Sequence, residues 1–305
     1  MFLIDRFGRP LTKLRISVTD KCNLKCFYCH EEGLEKSQYE ALPEEFELLV
    51  RIFSKFGINS VKLTGGEPLV RNDIVEIVHR ISCVKWIKDL SITTNGQLLS
   101  EYARDLKKNG LNRVNINLPT IDREKYRKIT GGGNVEKAIE GAMEAKDAGL
   151  YPIKLNMVLL KGINEEDIED MINFSIRNGF ILQIIELEPL GKAADKDFFE
   201  KYHVSLLKVK EQLRKKAVKI ETRSFQKRTV YYMKKGIVEV VDPLENTDFC
   251  FHCTRMRVTP DLKLKPCLMR NDNLVQIKRP LTEETIREAI LEANRRREPY
   301  FTVSS

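Results

Sequence analysis

Short apolar runs with strict alternation recur along the first two thirds of the chain, each followed by a stretch of helical period. The alternating runs are KLRISVT (13–19), SVKLTGG (60–66), LSITTNG (90–96), NRVNINLP (112–119), PIKLNMVLL (152–160) and FILQIIELE (180–188). Between them lie PEEFELLVRIFSKFG (43–57), NDIVEIVHRIS (72–82), LSEYARDLKKNG (99–110), NVEKAIEGAMEAKDAG (134–149) and NEEDIEDMINFSIRNG (164–179). The first set predicts strands and the second helices, because side chains alternate faces in a strand and return every three to four residues in a helix. Gly57, Gly110, Gly149 and Gly179 mark helix stops. Six βα units predict parallel strands joined by crossover helices.

The alternation also says which kind of parallel sheet. Arg15, Ser17 and Thr19 share one face of the first strand, and Leu14, Ile16 and Val18 the other. Lys62 and Thr64 oppose Val61 and Leu63; Asn115 and Asn117 oppose Val114, Ile116 and Leu118; Lys154 and Asn156 oppose Ile153, Leu155 and Met157. A strand covered by helices on both faces reads as continuously apolar. Here one face is repeatedly polar or basic, which predicts a partial, open β/α barrel of about six units with a wet, ligand-holding interior. Beyond residue 217 the pattern changes to short strands of a meander (218–225, 228–236, 236–243), a cysteine-rich loop (250–267) and a closing helix (282–297). The expected division is therefore a barrel at 1–217 and a smaller α+β region at 218–305.

Composition changes this picture little. Of 305 residues, 42% are hydrophobic and 31% charged, which suits a globular chain with a sizeable core. No apolar run is long enough to span a bilayer and the N-terminus lacks the apolar core of a signal peptide, so a cytoplasmic location with no membrane partner is expected. The formal net charge of +8 comes from bases scattered among acids, which reads as a mixed solvated surface and not as a nucleic-acid stripe. The mixed aromatic and basic stretch KRTVYYMKKG is read as a hairpin with one exposed face. Cys83 is expected to be a buried thiol, and His79 and His203 helix-surface or capping residues.

Three cysteines within eight positions, Cys22, Cys26 and Cys29 in CNLKCFYCH, make an awkward number. A C-x-x-C-H haem site would leave Cys22 unused. Zinc on three cysteines and His30 would cramp two adjacent ligands. A cubane iron–sulfur cluster held by three thiolates would keep one iron open for a substrate. A second trio is Cys250, Cys253 and Cys267; Arg255 and Arg257, after its second cysteine, would share a face in a strand or an extended loop and suggest an anionic ligand beside a metal site. His252 is an alternative fourth ligand for zinc there.

The C-x3-C-x2-C spacing after a first strand, with Tyr28 before the last cysteine, resembles the radical SAM superfamily, as does TGGEP (64–68) at the end of the next strand. The second trio, the R-x-R after it and the TTNG strand end (93–96) resemble, over essentially the whole chain, the GTP 3′,8-cyclases of molybdenum cofactor biosynthesis, the MoaA family. The resemblance implies two 4Fe–4S clusters, one on Cys22, Cys26 and Cys29 that cleaves S-adenosyl-L-methionine (SAM), and one on Cys250, Cys253 and Cys267 that meets the substrate. It implies SAM contacts at Tyr28, Gly66 and Asn117, and GTP contacts at Arg15, Lys62, Thr93, Lys154, Arg255 and Arg257, with Arg15, Arg255 and Arg257 catalytic. The implied reaction takes the 3′ hydrogen of GTP with a 5′-deoxyadenosyl radical and joins C3′ to C8. Implied partners are an electron donor, a downstream cyclic pyranopterin monophosphate synthase and a second copy of the chain as a homodimer. Another radical SAM enzyme acting on a peptide or RNA, and a zinc or haem module without catalysis, remain the alternatives. The sequence departs from the commoner family pattern at Asn117 and Pro119, at Glu188, and in its ending REPYFTVSS in place of a Gly-Gly tail.

Overall fold

A computed structural model describes residues 3–33, 37 and 39–299. The six expected strands are β1 (Lys13–Ser17), β2 (Ser60–Thr64), β3 (Asp89–Thr94), β4 (Arg113–Asn117), β5 (Ile153–Val158) and β6 (Ile181–Ile185). The later part of the chain adds β7 (Lys219–Thr222), β8 (Thr229–Met233), β9 (Gly236–Val241), β10 (Arg255–Val258) and β11 (Leu264–Lys265). Among the described residues these form one sheet in the order β11-β10-β1-β2-β3-β4-β5-β6-β9-β8-β7. The stretch from β10 to β9 is parallel throughout, with β11 antiparallel at one edge and β8–β7 at the other. Among the described residues no pairing joins the two edges, so the barrel is open.

The helices are α1 (Pro43–Lys55), α2 (Ile74–Ser82), α3 (Leu99–Lys108), α4 (Arg123–Thr130), α5 (Val135–Asp147), α6 (Ile168–Asn178), α7 (Lys196–Tyr202), α8 (Leu207–Lys216) and α9 (Glu283–Arg295). Five of the crossover helices and α9 stand where the periodicity put them. Helices α4, α7 and α8 were not expected; α4 carries only Tyr126 and Ile129 as apolar residues, too few to make a stripe, and starts on its cap Asp122, whose side chain accepts the Lys125 N–H at 2.8 Å. The four glycines read as helix stops all have positive φ.

The apolar strand faces meet the helices in one core: Leu14, Ile16, Val61, Leu63, Ile92, Val114, Ile116, Leu155, Leu182 and Ile184 are at most 1% exposed. Each such side chain contributes about 1.5–3 kcal/mol of burial free energy. The same alternation turns the polar set to the other side, into the barrel. The meander expected after residue 217 is present as the β7–β8–β9 hairpins, but β9 also pairs in parallel with β6, and β10 in parallel with β1. The late strands thus extend the barrel wall at both ends. Cys83, expected to be buried, is exposed, 3.9 Å from His79 Nε2, because it caps α2 on its solvent side. His203 meets the buried Glu186, its Nε2 2.9 Å from Oε1. The chain's last residues, 300–305, which hold the question of the tail, lie outside the described residues. Among the described residues no helix is long and apolar enough to cross a membrane.

Candidate active site

A cavity of about 950 Å³ occupies the barrel interior. Its wall includes all six cysteines of the two trios, and also Arg15, Tyr28, Lys62, Gly66, Thr93, Asn117, Lys154, Arg255 and Arg257. Every site residue named from the sequence therefore borders one space. Among the polar strand positions, Ser17, Ser91 and Thr94 are buried away from it.

The first trio sits on the loop leaving β1. Cys22 Sγ accepts the Leu24 N–H at 3.5 Å and Cys29 Sγ the Glu31 N–H at 3.4 Å, geometry that favours sulfur as thiolate. Burial nonetheless pushes Cys26 up to about 12, with Cys29 and Cys22 adding to the shift, and raises Cys22 and Cys29. Burial thus works against ionisation of these thiols, which a bound metal's charge would oppose. The loop is held by the end of β2: Gly66 N–H donates to Thr19 O and Glu67 N–H to Lys21 O, both at 2.8 Å. A Cβ on Gly66 would lie 2.1 Å from Lys21 O. Sequence reasoning put these glycines against a ligand; the structure puts them first against the cysteine loop. Glu67 accepts from Thr94 Oγ1 and Asn95 N at 2.6 Å and from Leu69 N at 3.1 Å, and its burial pushes it up to about 7 despite those donors.

Arg255 and Arg257 share a face of β10, in register with Lys13 and Arg15 of β1. Arg255 shares the Phe225 ring with Lys13 and Arg228, the three cations lying 5.1, 4.3 and 5.2 Å from its centre. Burial would raise Cys253, but Arg255 and Arg257 bring it below its ordinary value, opposite to the first trio. His30 Nδ1 accepts the Glu32 N–H at 2.9 Å, and His252 lies off the cavity wall. No three His, Cys, Asp or Glu side chains among the described residues converge to hold a single metal ion. In a cubane each thiolate takes a different iron, so such convergence is not required.

The cations divide into two kinds, a distinction the sequence did not show. Arg15 is paired with Glu32, which also accepts from Thr64 Oγ1 at 2.9 Å. Burial works to raise Glu32, but Arg15, His30 and Arg257 bring it to about 2. Lys154 Nζ donates to both oxygens of Glu239 at 2.7 Å, and Arg223 and Gln183 join that carboxylate. Burial works to raise Glu239; Lys154 and Arg223 hold it below the usual range. Arg113 makes a two-point bridge to Asp89, 2.7 Å at each nitrogen. By contrast Lys13, Lys62, Arg228, Arg255 and Arg257 have no carboxylate partner among the described residues. Lys62 donates only to Asn115 Oδ1 at 2.8 Å, and burial holds it well below its ordinary value. Arg257 Nε and Arg228 Nε are buried with no hydrogen-bond acceptor. Unpaired cations around orphaned N–H groups are the surface a polyanion completes.

The remaining wall is a ladder of amides. Asn156 donates to Asn117 Oδ1 at 3.0 Å, and Asn115 to Gln183 Oε1 at 3.1 Å. Thr93 and Glu188 border the same space. Sequence reasoning missed Glu32, Gln183, Arg223, Phe225, Arg228 and Glu239. Glu239 left a signal as a lone acid in the alternation of GIVEVV, and Gln183 as a lone amide in FILQII.

Comparison with known proteins agrees with this geometry. Residues 16–175 match the radical SAM superfamily, and residues 180–303 match the family described as Molybdenum Cofactor Synthesis C. A "Probable GTP 3′,8-cyclase" of Methanothermobacter thermautotrophicus is 46% identical over 99% of this chain and 100% of its own length. One of Thermococcus kodakarensis is 47% identical over 98% and 99%. Among solved structures, SuiB of Streptococcus suis bound to S-adenosylmethionine shares the fold at a TM-score of 0.63, with 18% identity over 86% of this chain and 62% of that one. A structure of anSMEcpe with bound AdoMet gives 0.60, with 16% identity over 92% and 81%.

Proposed function

The chain belongs to the GTP 3′,8-cyclase family of the radical SAM superfamily, and from that premise we propose how its residues divide the family's work. It is an enzyme of molybdenum cofactor biosynthesis that turns GTP into 3′,8-cyclo-7,8-dihydroguanosine 5′-triphosphate. SAM on an iron–sulfur cluster supplies, when bound, the 5′-deoxyadenosyl radical that takes the ribose 3′ hydrogen. Cys22, Cys26 and Cys29 hold that cluster, and Tyr28, Gly66 and Asn117 line the SAM end. Cys250, Cys253 and Cys267 hold a second 4Fe–4S cluster at the substrate end. Residues 1–217 thus carry the radical chemistry and 218–305 the auxiliary site.

The observation that carries this division is the set of unpaired cations at the second trio. Lys62, Arg255 and Arg257 grip the triphosphate, and Thr93 borders the nucleotide. Arg15 and Lys154 reach it by giving up Glu32 and Glu239. Arg15, Arg255 and Arg257 also stabilise the negative charge that develops when the cyclised base radical takes an electron from the donor, before it is protonated. The barrel keeps water from the radical. An electron donor, a synthase that consumes the product and a second copy of the chain complete the proposed partners, in the cytoplasm. The test is anaerobic turnover with SAM, dithionite and GTP. Both 5′-deoxyadenosine and a GTP isomer that degrades to a fluorescent pterin are expected. Deoxyadenosine without the isomer would leave the radical site standing and remove GTP.

A further inference from the structure

The turn that carries Cys250 and Cys253 is fastened to both ends of the chain by a buried charge triad that the reaction above does not use. Asp5, Arg9 and Arg297 are 6%, 5% and 1% exposed. Asp5 Oδ2 accepts from Arg9 Nε at 2.8 Å and lies 3.4 Å from Arg297 Nη1. Asp5 Oδ1 accepts the N–H groups of Phe7 and Arg9, each at 3.0 Å. Arg297 Nη1 also donates to the Arg9 carbonyl at 3.1 Å, which ties the two arginines together.

Both guanidiniums then reach the cysteine turn. Arg9 Nη1 donates to the Cys250 carbonyl at 3.0 Å, and Arg297 Nη2 to the Cys253 carbonyl at 2.7 Å. Next along the chain, the Thr254 carbonyl accepts from Thr12 N and Lys13 N, each at 3.1 Å. The turn is therefore pinned from the N-terminal segment and from the end of α9 at once. Apolar residues would brace it at lower desolvation cost. What they would not supply is charge: two guanidiniums share one carboxylate, leaving one formal positive charge buried beside the thiolates. A fixed positive charge favours the reduced, more negative form of a cluster, and burial leaves it little screened.

We propose that Asp5, Arg9 and Arg297 are positioning residues for the second cysteine site, which fix the Cys250–Cys253 turn and raise the reduction potential of the cluster it holds. This rests on the second-cluster reading above. The experiment is an EPR-monitored redox titration of the anaerobically reconstituted holoenzyme, with GTP added to mark the second cluster's signal and SAM to mark the first. Arg297→Gln removes the net charge and is expected to shift the second potential downward. Asp5→Asn adds to the net charge and is expected to shift it upward. Arg297→Lys keeps the charge and is expected to stay near the unsubstituted value, and the first cluster's potential should hold in all three. Shifts of the same sign in Arg297→Gln and Asp5→Asn, or an equal shift in Arg297→Lys, would overturn the charge role and leave a plain structural brace. Iron and sulfide for a single cluster per chain in the unsubstituted protein would overturn the second-cluster reading, and the triad's role with it.

Discussion

Replacing Lys62 by Met separates a substrate-gripping cation from a structural one, because the two roles predict opposite signs. Among the described residues Lys62 Nζ has one hydrogen-bond partner, Asn115 Oδ1 at 2.8 Å, and no carboxylate. Losing that bond costs about 1 kcal/mol. Removing a desolvated charge in favour of an apolar chain of similar length returns about 1–4 kcal/mol, towards the lower end here because the ammonium faces the cavity. The ligand-free enzyme should thus be unchanged or stabilised by up to about 2 kcal/mol, a rise in Tm of a few degrees. With GTP the balance inverts. A charge-assisted bond to a phosphate is worth about 1.5–3 kcal/mol, so affinity should fall about 10- to 150-fold. The assay is anaerobic thermal unfolding without reductant, run with and without GTP, beside direct binding. Unsubstituted enzyme should gain about 2.7 kcal/mol at a hundredfold excess over Kd, and the Met variant at the same GTP concentration much less. A ligand-free loss above about 2 kcal/mol, with GTP affinity within threefold, would refute the reasoning and make Lys62 a brace for the amide ladder.

Lys13 gives a pH test: burial and then Arg255 lower it to about 8. Its folded value lies below its unfolded one, so its penalty on stability is full below about pH 8 and is relieved as pH rises towards 10.5. Ligand-free stability from this group should therefore rise over pH 8–10, read by melts; if Lys13, as a further unpaired cation beside Arg255, also meets the triphosphate, GTP affinity falls over the same range in titration calorimetry, and a flat affinity would show that it does not. Gly66→Ala places a Cβ 2.1 Å from Lys21 O, so the first cysteine loop must shift. Deoxyadenosine formation should fall at least tenfold while GTP binding holds, and normal SAM cleavage would contradict the packing role. Lys265 is fully buried and donates to Gly33 O at 3.0 Å and Arg270 O at 2.6 Å. Lys265→Met orphans those acceptors and should cost about 2–5 kcal/mol, measured by denaturant unfolding. Lys154→Met leaves Glu239 with Arg223 and Gln183, and should cost the ligand-free protein about 1–3 kcal/mol while lowering GTP affinity less than Lys62→Met does.

The barrel was legible because its strands carry their own instructions. In SVKLTGG, Val61 and Leu63 must face helices, so Lys62 and Thr64 must face inward, and no distant information is needed. The cysteine spacing was legible for the same local reason. Pairing across long sequence separations was not. Strand β10 lies beside β1 some 240 residues earlier in the chain, and β9 inserts beside β6, with nothing in RMRV or GIVEVV to name the neighbour. Read alone, GIVEVV looked like part of a separate meander and RMRV like part of a cysteine-rich loop. The same blindness hid the counter-ions. Glu32 reaches Arg15 from a turn with φ of 52°, a conformation its neighbours in sequence do not announce. Glu239 reaches Lys154 only once β9 is in register with β6.

Those hidden partners change what the basic residues do. From the sequence, Arg15, Lys62, Lys154, Arg255 and Arg257 were equal claims on one triphosphate. In the structure Arg15 and Lys154 already hold carboxylates, so binding exchanges one anion for another and the net gain is small. Lys62, Arg255 and Arg257 hold none, so their desolvation is already spent and a phosphate restores what burial removed. Most affinity should come from the unpaired three. On the proposed division the paired two would contribute discrimination: only a ligand with enough charge at their position would outcompete Glu32 and Glu239. A nucleoside or a monophosphate would leave both carboxylates in place, and the site would read it as incomplete.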